Sequence, residues 1–384
     1  MSEMRSLLVE TAGRLFNDLA TNDHFEAAER GELARAAWQL VELAGLARAT
    51  VPENLGGTGS DFGDALMLVR EAGKHALPLP LADTLLAQRL LALAGLPAQD
   101  GVGTIGPVAL RDQGAAAARG SLVLQRDGAD WRLSGSLYRV PAARHADFLA
   151  ALAEHEGQPV TVLIEGAAVR AALLRQDVNW ANEPRDNLGF DRLRLSAAVV
   201  GQPGAGLTPE DLRFEGALFR LVAMSGALGR VLNLTVRYVQ ERVQFGKPLG
   251  NFQAVQHGVA QLAAQVAAAN AAADAAMHAV ELSGEGRLTD AARFAIAAAK
   301  TRIGEAAHIA NGFAHQLHGA MGFTQEHALH RSTRRLWAWR DEFGDEAEWA
   351  AWVGRVAVRL GSAGLWPFLT ARDKVLPGHR HQPD

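Results

Sequence analysis

The chain of 384 residues contains no cysteine. That excludes disulfides, thiolate nucleophiles, zinc-thiolate sites and cysteine-ligated iron–sulfur clusters, so redox chemistry needs a bound cofactor. An excess of positive charge is also missing. With 38 basic against 42 acidic side chains the net charge is -4, and no global field is present to hold a nucleic-acid backbone. Uninterrupted apolar runs stay short of the ~18 residues that span a bilayer. The N-terminal stretch carries early acids and no small-residue cleavage site, so it does not read as a signal peptide. These absences predict a cytoplasmic protein without nucleic-acid or membrane partners. With 48% hydrophobic residues, the chain has enough apolar material for two or three domains of ~100–200 residues each.

The first hundred residues carry apolar side chains at helical spacing, as in Leu33, Ala37, Leu40, Val41 and Ala44. A Pro/Gly break at Val51-Pro52-Glu53-Asn54-Leu55-Gly56-Gly57-Thr58-Gly59 is followed by helical stretches from Asp64 to His75 and from Ala82 to Ala94. From Gly103 to Pro203 short runs such as Leu122-Val123-Leu124, Leu149-Ala150-Ala151 and Val160-Thr161-Val162 predict strands, with Asp127-Gly128 as a hairpin turn. Thr208 is placed to cap a helix that starts at Pro209 and carries Glu210 and Asp211 in its first turn. Three apolar stripes follow: Leu228 to Val243, Val255 to Val266, and Ile296 to Leu317. Their alanine content permits close helix packing in a bundle.

Two stretches carry chemistry. In the first, Tyr238 to His257, a Gly/Pro corner crowds Arg242, a planar fork suited to phosphate, beside Gln244, Gln253 and Gln256. The second, Gln316 to Glu326, ends a helix at Gly319 and Gly322, which suits either helix termination or close backbone approach to a nucleotide. His315, His318, His327 and His330 raise a metal hypothesis, but no acidic cluster of ligand spacing accompanies them, so no metal is predicted. Arg331, Arg334, Arg335 and Arg340 read as solvated, or as partners of Glu326, Asp341 and Glu342.

Taken together, the VPExxGGxG turn at 51–59, Arg242-Val-Gln-Phe245-Gly246 with Phe252-Gln253, and Gln316-Leu-His-Gly319-Ala-Met-Gly322 resemble the acyl-CoA dehydrogenase family over nearly the whole chain. The resemblance implies an α+β fold with an N-terminal helical domain (1–102), a middle β domain (103–205) and a C-terminal four-helix bundle (206–384). It implies FAD as cofactor, with Arg242 on the pyrophosphate, Phe245 near the adenine, Gln253 in the same signature, and Gln316, Gly319 and Gly322 on the FAD of a partner subunit. The implied reaction is α,β-dehydrogenation of an acyl-CoA thioester in a dimer or tetramer, with an electron-transfer flavoprotein as acceptor.

The chain departs from that pattern at three places. The family's base is a glutamate before a Gly-Thr pair; ungapped counting from Gly319 puts Phe343 there, with Glu342 one residue off. An alternative family position falls at Gly216, beside Glu215, which makes Glu342 the first candidate base and Glu215 the second. The TEPxxGSD-like flavin loop is replaced by Pro107-Val-Ala-Leu-Arg-Asp112, and a Trp-Ile-Thr element by Arg139-Val140-Pro141. These departures leave two further readings open. The chain is the half-site partner of a sister dehydrogenase chain in a heteromer for steroid or other bulky acyl-CoA, or it is an acyl-CoA-binding scaffold without catalysis.

Overall fold

The structure is a computed structural model that describes residues 3–107, 120–284 and 286–370. The predicted flavin-loop segment therefore lies, beyond Pro107, outside the described residues. The chain forms two compact units, 1–219 and 220–384.

The first unit opens with helices α1 (Glu3–Leu19), α2 (Asn22–Glu29), α3 (Arg35–Leu43), α4 (Phe62–Lys74) and α5 (Leu81–Leu93). The 51–59 turn owes its form to Gly57, where a Cβ would lie 1.9 Å from the carbonyl oxygen of Val51. Helix α5 is apolar nearly all round, as expected of a helix enclosed by its neighbours, and its polar side chains are used internally. Thr84 Oγ1 accepts from the N–H of Gly103 at 3.0 Å, and Gln88 exchanges hydrogen bonds with the backbone of Gln99. These bonds tie the helix to the start of the sheet.

That sheet contains β1 (Gly103–Ile105), β2 (Gly120–Asp127), β3 (Asp130–Pro141), β4 (Phe148–His155), β5 (Gln158–Glu165), β6 (Leu173–Arg175) and β7 (Arg185–Leu195), with the short helix α6 (Gly166–Ala171) between β5 and β6. The β2–β3 pair closes through Gly128 (φ 63°) and Ala129, with Asp127 opposite Asp130, so the predicted hairpin turn is present. Strand β2 alternates, burying Leu122 and Leu124 and exposing Val123, whereas Phe148 to Ala153 of β4 are buried on both faces.

Helix α7 (Pro209–Glu241) begins in the first unit and ends in the second. Its start is a reciprocal cap: Asp211 N–H donates to Thr208 Oγ1 at 3.1 Å, and the Thr208 hydroxyl donates to the Asp211 carboxylate at 2.7 Å. By length and composition α7 could cross a membrane, but 72% of its apolar window is buried inside the protein. The predicted stripe on this helix stops at Val239. Val243 lies beyond the helix end and is 57% exposed, because the chain leaves helical geometry after Glu241.

In the second unit α8 (Gln253–Ser283) and α9 (Asp290–His318) pack along their lengths, with α10 (Leu329–Arg340) and α11 (Glu346–Thr370) against α9. Alanine recurs among the buried positions, as at Ala269, Ala273 and Ala276 of α8 and Ala299, Ala306 and Ala310 of α9. Small side chains of this kind let helix backbones approach closely.

Candidate cofactor cavity and base positions

The corner after α7 is a two-residue hairpin, β8 (Val243–Gln244) against β9 (Lys247–Pro248). Both central residues have positive φ, 52° at Phe245 and 83° at Gly246, as a tight hairpin of this kind requires. Phe245 is 89% exposed and its ring meets only Phe252, edge-on at 6.1 Å, among the described aromatic contacts. The N–H of Leu249 donates to Arg242 O at 2.9 Å and anchors the hairpin to the helix end.

This corner and the end of α9 enclose a cavity of about 600 Å³. Arg242 and Gln244 line it from the corner, His257 and Gln261 from α8, and Gln316 and Gly319 from α9. Arg242, Gln316 and Gly319, drawn from two separate motifs, therefore address a single space. No acidic side chain is among the described residues lining it, and the set of a guanidinium, several amides and two imidazoles fits the diphosphate of a dinucleotide. The donor set thus fits the phosphate portion of FAD.

The other predicted contacts sit differently. Gln253 opens α8 and does not line the cavity, and Gln256 donates its amide to Gly250 O at 2.9 Å, holding its own turn. Gly319 has φ 59° and caps α9. Gly322 is buried outside the cavity, where a Cβ would come 3.0 Å from His318 Cβ; its glycine makes room for packing of the turn. An open aromatic cavity of about 780 Å³ adjoins the first and shares Phe313, Gln316 and Gly319 with it; Trp337 and Phe323 also line it.

Tyr238, to which sequence reasoning gave no role, is also at this site. It lines the cavity and stacks on His318 with ring centroids 4.5 Å apart. The only signal was their adjacency to the two motifs. The four histidines do not form a group able to hold a metal ion among the described residues.

Both candidate bases are engaged by arginine. Arg220 Nε donates to Glu342 Oε2 at 2.5 Å, with side-chain exposures of 3% and 11%. In the first unit Glu215 is fully buried and takes two hydrogen bonds from Arg89, at 2.8 and 2.9 Å, while Arg89 lies 3.7 Å from the ring centroid of Phe62. Burial pushes the Glu215 carboxyl up, and Arg89 opposes that shift.

The loop holding Glu342 is tightly built. Lys300, 1% exposed in the middle of α9, donates to the carbonyls of Arg340 at 2.6 Å, Gly344 at 2.9 Å and Trp339 at 3.4 Å. Trp349 Nε1 donates to Phe343 O at 3.2 Å. Phe343 (φ 57°) and Gly344 (φ 107°) turn the chain, and Asp345 then caps α11 by accepting from the N–H of Glu348 at 2.8 Å. The order is thus Phe343, a left-handed glycine and a helix-capping side chain, and Glu342 precedes it. Of the predicted arginine pairings, Arg340 instead takes Glu346 at 2.5 Å, and Arg335 is buried.

On the sheet, Arg139 occupies an irregularity between β3 and β7 with φ 59°, its N–H donating to Asn187 Oδ1 at 3.0 Å, while Val140 and Pro141 are buried. The Arg139-Val140-Pro141 element therefore presents an exposed arginine and no ring.

Known proteins match this arrangement. The acyl-CoA dehydrogenase N-terminal domain matches residues 2–100, and the acyl-CoA dehydrogenase C-terminal domain residues 215–341. Acyl-CoA dehydrogenase IpdE2 of Mycobacterium tuberculosis (strain ATCC 25618 / H37Rv) is 30% identical over 336 residues, covering 87% of this chain and 91% of that protein. Glutaryl-CoA dehydrogenase of Desulfococcus multivorans is 29% identical, over 74% of this chain and 78% of its own. The ChsE4-ChsE5 complex from Mycobacterium tuberculosis shares the fold, with a TM-score of 0.79 at 21% identity over 92% of this chain and 97% of the matched one. With the helical, sheet and helical order, two matching family domains and an IpdE2 relative matched over nearly its full length, the chain belongs to the acyl-CoA dehydrogenase family.

Proposed function

We propose that the chain is one half of a heteromeric acyl-CoA dehydrogenase: it holds FAD at the Arg242 cavity, and a sister chain supplies the carboxylate that removes the substrate's α-proton. The observation that carries this reading is that both carboxylates near the family's base positions are bound to buried arginines, Glu342 to Arg220 and Glu215 to Arg89. A general base must present an unengaged lone pair to the proton it takes, with a proton affinity matched to the working pH. Each of these carboxylates instead gives lone pairs to a buried guanidinium, which holds it in place away from a substrate proton.

Bound FAD supplies the acceptor for the hydride that leaves the β-carbon. The chain's own residues would hold it: Arg242 would neutralise the diphosphate, and the amides of Gln244, Gln261 and Gln316, which line the same cavity, would supply further donors. The substrate class is an acyl-CoA thioester and the electron acceptor an electron-transfer flavoprotein. The assembly is a dimer or tetramer, for which the similar fold found in the ChsE4-ChsE5 complex is the support. A bulky acyl group is supported by the related fold of the Tcur3481-Tcur3483 steroid ACAD.

The test is to purify the chain alone and co-expressed with its sister chain, measuring flavin absorbance, mass and acyl-CoA-dependent reduction of an electron acceptor. Turnover is expected only in the heteromer. A yellow homomer that turns over alone, and loses turnover as Glu342→Gln, overturns the proposal in favour of Glu342 as base. A protein that stays colourless with added FAD in either state leaves the scaffold reading.

A further inference from the structure

Histidines cluster at the wall of the Arg242 cavity. His318, 3% exposed, lines that cavity and lies face to face with Tyr238 of α7; His327 stands edge-on to the same tyrosine at 5.8 Å and 4.7 Å from the ring of His318. Their surroundings favour uncharged rings. His318 Nδ1 donates to Ala314 O at 2.7 Å, which leaves Nε2 as a bare lone pair, buried and without a hydrogen-bond partner among the described residues. His327 Nδ1 accepts the N–H of Leu329 at 3.2 Å, a bond that a protonated nitrogen cannot make. Charging His318 would create a buried N–H with no acceptor, and charging His327 would break the bond that leads the chain into α10.

We propose that Tyr238, His318 and His327 form a pH-dependent latch on the cofactor cavity. Neutral rings hold the end of α9 against α7 and keep Gln316 and Gly319 in place, and protonation parts the stack and weakens the grip on the dinucleotide. The identity of the ligand, FAD, rests on the function proposed above. The latch itself rests on the stack.

The titratable and charged groups facing the stack act in the same direction. His315, one turn back on α9, faces His318; its Nε2 bonds Thr333 of α10 at 3.0 Å. His330 at the start of α10 faces His327 and His315, and Arg242 shares the cavity wall. Burial holds His318, His315 and His327 below the usual histidine value, and each is lowered further by a neighbouring histidine. The sign follows. The latched form binds fewer protons than the open one, so acid favours opening as pH falls below the ordinary histidine value.

The test combines amide hydrogen exchange of residues 316–327 in the ligand-free full chain with FAD affinity, each measured between about pH 7.5 and about pH 5.5. The wild type is expected to show faster exchange in acid and affinity lower by about tenfold or more. The double variant His318→Phe with His327→Phe keeps aromatic stacking and removes titration, so both readouts should become flat. Exchange independent of pH in the wild type, the same acid response in the double variant, or affinity that rises on acidification overturns the latch. If FAD binds at no pH, the cofactor reading fails, and the exchange measurement still decides the latch in the wild type alone.

Discussion

Arg220 and Glu342 form a nearly enclosed ion pair, Nε to Oε2 at 2.5 Å, in the loop where the family keeps its base. The carboxylate's partner is therefore a guanidinium at a place where catalysis would ask for a substrate proton. If a sister chain supplies the base, as proposed, replacing Glu342 by Gln should leave turnover of the heteromer within about fivefold. It should also lower stability by about 1–3 kcal/mol, since a buried Arg220 keeps a hydrogen-bond acceptor but loses its countercharge. Steady-state kinetics and a urea titration of the same variant read the two effects separately.

Glu215 and Arg89 make the corresponding pair in the first unit, with the carboxylate fully buried. Breaking a pair of this kind strands the surviving charge, so Glu215→Ala is expected to destabilise the protein by about 3–5 kcal/mol. Joint replacement of Glu215 and Arg89 by apolar residues of similar size should restore much of that loss. A denaturation midpoint that does not move in the single variant would show that the pair does not act as a unit.

Arg242 is the one guanidinium lining the cofactor cavity among its described residues. Arg242→Ala should weaken FAD binding by about 10- to 100-fold, and Arg242→Lys should recover part of the charge but not the bidentate geometry. Equilibrium dialysis, with the flavin spectrum as readout, gives the ratio directly.

Lys300 titrates at about 8 in the folded protein against 10.5 for an ordinary lysine, with burial the largest cause and the nearby Glu346, Glu342 and Asp341 opposing it. Between those values the unfolded chain binds more protons than the folded one. Unfolding free energy should therefore rise with pH across that window, by about 1–3 kcal/mol, and level off above it. Lys300→Met removes the rise and takes the ammonium donor from the carbonyls of Trp339 and Arg340 at the end of α10 and of Gly344 in the turn that follows. Chemical denaturation of both proteins at several alkaline pH values checks the slope.

Much of the fold was legible along the chain because it is written in local chemistry. Thr208, Pro209 and Asp211 announce a helix start by their capping groups alone, and the structure contains that cap. The 51–59 turn shows its glycines for a reason of backbone space, with Val51 O beside Gly57. Legibility fails where the deciding partner is remote. Val243 continues the apolar spacing of α7 yet falls in a hairpin, because Phe245 and Gly246 turn the chain two residues later. Gly322 follows Gly319 in the motif, but only the packing of His318 and His315 shows that it is a space-maker in the turn. Lys300 stands four residues after Ile296 on a buried stripe, a lysine where apolar residues recur, and that was its one visible signal.

The sequence by itself determined the class of chemistry and the order of the architecture. Without cysteine a redox role needs a cofactor, and motif residues, caps and periodicities depend on neighbours a few positions away. Tertiary structure alone decided what the carboxylates do. Glu215 and Glu342 look like equal candidates in a string of letters, and each is committed by an arginine far from it in the chain, Arg89 and Arg220. Whether a carboxylate acts as a base depends on its burial and on which charge stands against it, and both are properties of the folded chain.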